Sequence, residues 1–442
     1  MSARRYESWG RYPKAHHDAV LSARWRAAPL PLPESTDQSL LPFGNGRSYG
    51  DVCLNDGHVL LDARPLDRFI AFDSESGVLR CEAGVLLSEI LDLVVPRGWF
   101  LPVTPGTRLV TVGGAIANDV HGKNHHRAGT FGCHVRAFEL LRSDGSRRFC
   151  SAQENTEHFR ATIGGLGLIG LITWAELQLR RIASPAIAQE AVRYDGLDAF
   201  FALSAESDQA FEYTVAWVDC LSSGSQLGRG VFIRGNHVET PSDTPPKPPG
   251  LTLAVPFTPP VSAINGLTLK AFNAAYFYGH PAGRHASIVH YAPFFHPLDG
   301  VADWNRIYGP KGFLQYQFVV PHAHGPEAVR EILQRIARAG TGSFLAVLKV
   351  FGAPTSPGLL SFPGPGVTLA LDFPNLGTRT FDFLDSLDEV VREAGGRLYP
   401  AKDARMRGAD FRAAYPEWTS LEALRDPRLD SSFWRRVRGE AP

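Results

Sequence analysis

Three glycine-dense segments crowd the stretch between residues 42 and 172, and they constrain this chain more than any other feature. The first reads Pro42-Phe43-Gly44-Asn45-Gly46-Arg47-Ser48-Tyr49-Gly50-Asp51-Val52. The second runs from Pro105 to His126 and contains Gly106, Thr111-Val112-Gly113-Gly114, Asn118-Asp119-Val120-His121 and Lys123. The third is Gly164-Gly165-Leu166-Gly167-Leu168-Ile169-Gly170-Leu171-Ile172. Glycine permits backbone conformations and close approaches that a Cβ forbids. One such cluster is usually a turn. Three of them suggest a large, flat cofactor threaded along a loop-rich cleft. Successive N–H groups of the first loop can form a nest for phosphate oxygens. No Gly-Lys-Ser/Thr follows, so it is not a Walker loop. No strand–turn–helix of the right length surrounds it, so it is not a dinucleotide fingerprint in its proper setting.

Composition narrows the class. Glycine supplies 43 and proline 33 of 442 residues, above the usual shares of about 7% and 5%, which excludes long helical bundles. The length allows two or three domains of roughly 150 residues. Lys+Arg and Asp+Glu are 45 each, so the formal charge is zero, and nucleic acid is not an expected partner. At 44% hydrophobic and 20% charged, the chain reads as globular rather than disordered or membrane-embedded. Cys53, Cys81, Cys133, Cys150 and Cys220 form no CxxC pair. That argues against structural zinc and a disulfide framework. Reduced thiols and an N-terminus without an apolar core fit a cytoplasmic enzyme. Membrane association and a periplasmic location stay open. The weakly polar run Thr162–Ala175 is too short to span a bilayer. Pro241–Pro260 holds eight prolines and leads into Leu251, Leu253, Val255 and Phe257. It reads as a flexible lid, a membrane-touching flap between 241 and 278, or an ordinary surface excursion.

The pattern to residue 180 predicts strands at His58–Leu61 and Val78–Cys81 and a helix at Leu87–Val95. It also predicts a hairpin of Phe138–Leu141 and Arg147–Cys150 about Ser143-Asp144-Gly145-Ser146. Residues 184–300 look irregular. The last third reads β-α-β-β-α-β, a ferredoxin-like pattern. Its parts are strand Gln315–Pro321, helix Pro326–Ala339, strands Ser343–Phe351 and Val367–Phe373, helix Thr380–Ala394 and strand Arg397–Tyr399. Alternation puts Tyr316, Phe318, Phe344, Ala346, Leu348, Val350, Val367, Leu369, Leu371 and Phe373 on one face, under the two helices. The other face carries Gln315, Gln317, Leu345, Val347, Lys349, Thr368, Ala370 and Asp372. Such polar groups are costly if merely buried. The face is therefore either solvated or the roof of a binding cavity. His121, His125 and His126 lack an HExxH spacing, so no metal is expected. Positive charge or proton transfer suits His121 and Lys123 better.

Taken together, several strings resemble the vanillyl-alcohol-oxidase/p-cresol-methylhydroxylase class of FAD enzymes, and within it the flavoprotein oxidase subunits of decaprenylphosphoryl-ribose 2-epimerases. They include GRSYGD (46–51), PGTRLVTVGGAIANDVHGKNHH (105–126), GLGLIGLI (165–172), FHPLDGVADWNRIYGPKGFLQYQF (295–318), LDFP (371–374) and GGRLYPAKDAR (395–405). The resemblance covers residue 40 to the end, weakly over 184–290. It implies an α+β fold of two domains. Residues 1–183 and 397–442 would form the FAD domain. Residues 184–396 would form a substrate domain whose antiparallel sheet covers the flavin. It implies FAD contacts at Pro42 through Val52, Gly106, Thr111 through Gly114, Asn118 through His121, Ile172 and Tyr399. Around the substrate it implies Tyr49, His121, Lys123, Trp217, Gln315, Gln317, Leu345, Lys349 and Lys402, with Thr368 and Ala370 on the same face. The tethering histidine of many relatives is missing from Gly46-Arg47-Ser48, so FAD should be non-covalent. Ala370 replaces the family's pocket cysteine and Phe295 its tyrosine; both positions are expected to face substrate.

The implied reaction is oxidation of a sugar secondary hydroxyl, with hydride passing to flavin N5. Lys402 is the first candidate to take the hydroxyl proton, His121 and Tyr49 the next. Lys123 and Lys349 would bind an anionic group such as a phosphate. An NAD-dependent keto-sugar reductase would be a fitting partner. The rival readings are a soluble alditol or aldonolactone oxidase using oxygen, a flavin-binding scaffold without turnover, and a metal-dependent hydrolase, which would be colourless.

Overall fold

The computed structural model describes residues 6–240, 250 and 253–439. Val59–Asp62 is the central strand of a parallel three-stranded sheet, between Ala19–Ser22 and Leu40–Phe43. It is buried throughout, which is why Val59-Leu60-Leu61 shows no polar alternation. A five-stranded antiparallel sheet follows in the order Phe69–Asp73, Val78–Glu82, Leu171–Gln178, Val135–Leu141, Arg147–Ser151. The last two strands form the expected hairpin, with Gly145 at φ 80° in its turn. Helix Leu87–Val94 packs Leu87, Ile90, Leu91 and Val94 into the core.

An eight-stranded antiparallel sheet forms the second half of the molecule. Its order is Gly283–His290, Ala186–Tyr194, Gly230–His237, Tyr213–Val218, Val347–Phe351, Gly366–Pro374, Phe313–Pro321, Arg397–Leu398. The last four strands, with helices Gly325–Ala339 and Thr378–Glu393, are the β-α-β-β-α-β unit read from the sequence. The first four repeat that order with helices Leu197–Ser207 and Gly266–Gly279. The stretch expected to be irregular is thus a second copy of the same motif. The two units meet edge to edge through Ala216↔Leu348 and Trp217↔Val347. The first unit escaped sequence reading because helix Gly266–Gly279 is apolar nearly all round and strand Gly283–His290 is mostly exposed. Neither carries a clean period.

Val329, Ile332, Leu333 and Ile336 of helix Gly325–Ala339 are buried, as the helical spacing requires. They pack in one core with Tyr316, Phe318, Ala346, Leu348, Val367, Leu369, Leu371 and Phe373. The strand expected over Ser343–Phe351 pairs only from Val347. Upstream of it, side chains take the backbone groups: Trp217 Nε1 donates to the Phe344 carbonyl at 2.9 Å, and Cys220 Sγ to that of Ser343. Phe344 therefore leaves the helix-covered face and packs with Trp304, Tyr308 and Phe313.

Two segments tie the halves together. Residues 6–12 lie across the first glycine loop, with Trp9 N–H donating to the Ser48 carbonyl and Phe313 N–H to that of Gly10. The chain beyond 397 returns to the parallel sheet, where Leu429 bridges to Leu40. Most of the proline-rich stretch, residues 241–249 and 251–252, lies outside the described residues. Among the described residues no helix is long and apolar enough to cross a membrane.

Candidate active site

The three glycine segments converge on one cleft. Strand Leu40–Phe43 delivers the first loop, and Asn45 anchors it by donating to the Leu109 carbonyl at 2.7 Å. The second loop opens a short helix at Val112, capped by Thr111 Oγ1, which accepts from Gly114 N–H. A Cβ on Gly44 would lie 2.5 Å from that same Thr111 oxygen, so only glycine allows the two loops to touch. The third segment leans on the second through Gly164 N–H to the Ile116 carbonyl and Leu166 N–H to that of Ala117. Tyr399 closes the far side, its hydroxyl donating to the Asn118 carbonyl at 2.9 Å.

Pro42 through Ser48, Val52, Thr111, Gly113, Gly114, Asn118, Ile172 and Tyr399 all line this cleft, and Lys402 joins them. So do Gly167 and Gly170 of the third segment, and Cys53, Ala83, Ala117 and Ala401, which the sequence reading did not single out. Their common signal is small size. Arg47 Nε and Asn118 Oδ1, on residues that line the cleft, are buried without a partner among the described residues. Small walls, backbone donors and unspent polar atoms fit an extended cofactor such as FAD. The first loop offers no histidine to tether it.

Several residues expected to contact FAD also have structural surroundings of their own. Asp51 is buried and paired with Arg436 at 2.7 Å, pinning the C-terminal helix. A Cβ on Gly50 would come within 1.5 Å of the Asp403 carbonyl oxygen, so that glycine seats a neighbouring loop. Val112 is a core residue. Asp119 is fully buried and accepts from Gly132 N–H and the hydroxyls of Ser356 and Ser361. Gly106 is exposed, with open space where its Cβ would be. Val120 N–H and carbonyl are spent on the Ala115 carbonyl and Phe131 N–H. Tyr49 and His121 turn away from the glycine cleft towards the sheet.

That sheet face carries two hydrogen-bonded chains. Gln317 Nε2 donates to Thr368 Oγ1 at 3.2 Å and meets His121 Nε2 at 3.1 Å. With the amide nitrogen as donor, His121 accepts at Nε2 and holds its proton on Nδ1. Burial, then Lys349, His125 and Lys402, holds His121 well below the usual histidine range. It is a neutral imidazole, not the positive charge the sequence suggested. In the second chain, Gln315 Nε2 donates to Asp372 Oδ1 at 2.7 Å, while Tyr308 offers its hydroxyl to Oδ2 at 3.5 Å. Gln315 also hydrogen-bonds Tyr49. Burial pushes the Asp372 carboxyl up to about 7, against the opposing pull of Gln315 and Lys402. Strand alternation already put Asp372 on this face, without a role; Tyr308 is the residue the sequence reading missed. The partners of Asp372 are visible only once strands Phe313–Pro321 and Gly366–Pro374 are in register.

Three half-buried lysines face this network. Lys402 Nζ lies 3.9 Å from the centre of the Tyr49 ring. Burial draws it down to about 7, with Asp372 opposing and Lys349 assisting. Lys123 Nζ donates to the Phe294 carbonyl, and Lys349 Nζ to that of Gly122 at 3.4 Å. Burial lowers Lys123 to about 7, helped by Lys349, and Lys349 to about 8. No ion pair to a carboxylate is formed by either among the described residues. His125 stacks on Phe351 at 4.5 Å, and His126 Nε2 meets the Phe211 carbonyl, so the histidines point to separate places.

Trp217 shares the face of Val347 by register and stacks on Tyr276 at 4.5 Å. Leu345 joins Tyr49, Trp304 and Tyr308 in one apolar cluster. Ala370 opposes Gln317 and Val347 and stays half-exposed on the same sheet face. Phe295 does not face the cavity. Helix Tyr291–Phe295 turns it into a buried aromatic cluster with Phe100, Tyr213 and Phe294.

Comparison with known proteins agrees with this geometry. Residues 27–151 match the FAD binding domain family. The chain is 37% identical to decaprenylphosphoryl-beta-D-ribose oxidase of Mycolicibacterium smegmatis over 93% of its length and 90% of that protein's. It is 36% identical to an uncharacterised protein of Streptomyces coelicolor over 78% of its length and 96% of that protein's. A shorter match, 29% identical over 34% of this chain and 33% of the other, links it to L-gulonolactone oxidase of Mus musculus. The chain therefore has an α+β FAD-binding fold, and it belongs to the FAD-dependent oxidoreductase family of the decaprenylphosphoryl-beta-D-ribose oxidases.

Proposed function

We propose that this enzyme oxidises a secondary hydroxyl of an anionic, lipid-linked sugar to a keto-sugar, with a pentose phosphate such as decaprenylphosphoryl-ribose as the substrate class. FAD, when bound, supplies the two-electron acceptor for the hydride leaving the carbinol carbon. The observation that carries the reading is Lys402, a lysine drawn down to about 7 between Tyr49 and Asp372. A neutral amine there takes the hydroxyl proton as the carbonyl forms. Gln315 and Asp372 hold Tyr49 and the lysine in place. Gln317 and neutral His121 offer donors and acceptors to the sugar ring. Among the described residues neither Lys123 nor Lys349 touches a carboxylate, which suits them to a phosphate.

The finer fold reading belongs to this proposal. Residues 1–183 and 397–442 make the FAD domain of the vanillyl-alcohol-oxidase/p-cresol-methylhydroxylase type, and 184–396 make its cap. The return of Leu429 to Leu40 supports that split. A keto-sugar product calls for an NAD-dependent reductase as partner, and the enzyme works in the cytoplasm, where a lipid-linked substrate would bring it to the membrane surface. The test is anaerobic mixing of the FAD-loaded enzyme with prenylphosphoryl-ribose, free pentoses and alditols. Bleaching near ~450 nm by the phosphorylated lipid-linked pentose is expected for a two-electron flavin reduction. Bleaching by free alditols with no response to the phosphorylated sugar would replace this reading with a soluble alditol oxidase.

A further inference from the structure

A second cavity lies on the helix-covered side of the eight-stranded sheet, and none of its lining residues belongs to the glycine-walled cleft. Helix Thr378–Glu393 and strands Phe313–Pro321 and Arg397–Leu398 meet helix Gly408–Ala414 of the returning chain there. Its volume is about 440 Å³, inside the range of about 300–1,000 Å³ usual for small-molecule sites, which favour seams of this kind. Buried Val319, Val391, Leu398 and Met406 make its floor. Asp388, Arg392, Arg397 and Asp410 line it as well. Three of these charges are spent on ion pairs. Asp388 accepts two hydrogen bonds from Arg405, both at 2.8 Å. Arg392 donates to Asp410 at 3.3 Å, and Arg407 Nε donates to the same carboxylate at 2.8 Å. Arg397 is different. Its Nε and Nη2 donate to the Phe362 and Pro363 carbonyls at 2.9 Å and 3.1 Å, and the Tyr415 ring lies 5.4 Å from its guanidinium. Among the described residues no carboxylate touches it, and Nη1 makes no hydrogen bond. A guanidinium stays charged at any working pH. Half-buried Arg397 is thus a permanent cation without an anion, set against an apolar floor.

We infer that this cavity binds an organic monocarboxylate with an extended alkyl body. The carboxylate pairs with Arg397, and the hydrocarbon lies across Val391 and Leu398. One unpaired cation selects a single negative charge. A phosphate ester or dicarboxylate would press its further charge against Asp388 and Asp410, and like charges in contact are costly. A neutral or cationic amphiphile leaves Arg397 unpaired. The position of the cavity gives such binding a reach. Leu398 lines it, and the next residue, Tyr399, lines the glycine-walled cleft. Tyr415 donates its hydroxyl to the Leu398 carbonyl at 2.6 Å, and Lys402 N–H donates to that of Tyr399 at 3.0 Å. A ligand here braces the short segment that carries both the far wall of the cleft and Lys402. The inference does not rest on the proposed substrate.

The test uses the full-length, FAD-loaded enzyme and calorimetric titration with decanoate below its micellar range, with decanol and decylammonium as controls. Decanoate should saturate one site and raise the temperature of flavin release, as a ligand of the folded state must. Arg397→Met should weaken decanoate about tenfold to a hundredfold, the worth of one charged hydrogen bond. Arg397→Lys should recover part of that loss. Ala413→Trp fills the cavity from its exposed mouth and should abolish binding; it decides the matter if Arg397→Met fails to retain flavin. Lys349→Met should bind decanoate as the parent does. Absence of saturable binding would overturn the inference, as would equal binding of decanol or decylammonium. So would decanoate binding that survives in Ala413→Trp, or that is lost in Lys349→Met and kept in Arg397→Met, which would put the carboxylate among the three lysines instead.

Discussion

The ammonium of Lys402 sits 3.9 Å from the centre of the Tyr49 ring, on the side where the buried carboxylate of Asp372 raises its proton affinity and Lys349 lowers it. The π face tolerates the charged form while burial disfavours it. The result is a lysine that titrates near neutrality.

Replacing Lys402 by methionine should slow anaerobic flavin reduction by about a hundredfold to ten-thousandfold, the usual loss for a general base. In the parent, the neutral amine grows as pH rises through about 7, so the reduction rate should climb between pH 6 and 8 and then level off. Stopped-flow bleaching at 450 nm checks both statements. A variant as fast as the parent, with flavin retained, removes Lys402 from the chemistry.

Asp372→Asn keeps an acceptor for Gln315 but deletes the charge that raises Lys402. The pH midpoint of flavin reduction should therefore move to lower pH. An unmoved or upward-shifted midpoint would mean that Asp372 acts only as packing.

Lys123→Met and Lys349→Met should each weaken binding of a phosphorylated sugar by about tenfold to a hundredfold, the worth of one charged hydrogen bond. Both lysines lose charge as pH rises through about 7 and about 8 respectively. Affinity should accordingly fall in alkaline buffer for the phosphorylated substrate and hardly change for a neutral polyol. Equilibrium titration of flavin absorbance with each ligand separates the cases.

Arg436→Ala strands the buried carboxylate of Asp51, which it contacts at 2.7 Å, beside Asp403 at 2.9 Å. Breaking such a pair costs about 3–5 kcal/mol. Urea denaturation followed by flavin release should show the lower midpoint. A variant as stable as the parent would remove this ion pair from what holds the C-terminal helix in place.

Much of this was legible in the sequence because it is written in local chemistry. The glycine loops announce close backbone approach, and Val329, Ile332, Leu333 and Ile336 announce a helix by spacing alone. What stayed hidden depends on register or on long-range partners. Asp372 becomes a site residue only when Gln315 pairs with it across two strands. Asp51 looks like part of a phosphate loop until Arg436 arrives from the far end of the chain. Phe295 looked like a pocket residue because it stands where the resembled family has a tyrosine; one turn of helix rotates it into the core. The repeated β-α-β-β-α-β unit escaped because its outer strand and second helix show water the wrong faces.

Tyr399 and Lys402 line the same cleft as Pro42 through Ser48, although more than three hundred residues of chain separate them. On the ribosome, the first glycine loop therefore waits through synthesis of the whole intervening sheet before its opposite wall exists. That wall is consequently the last part of the cleft to be made, and a chain truncated anywhere before residue 399 leaves the cleft with one wall missing.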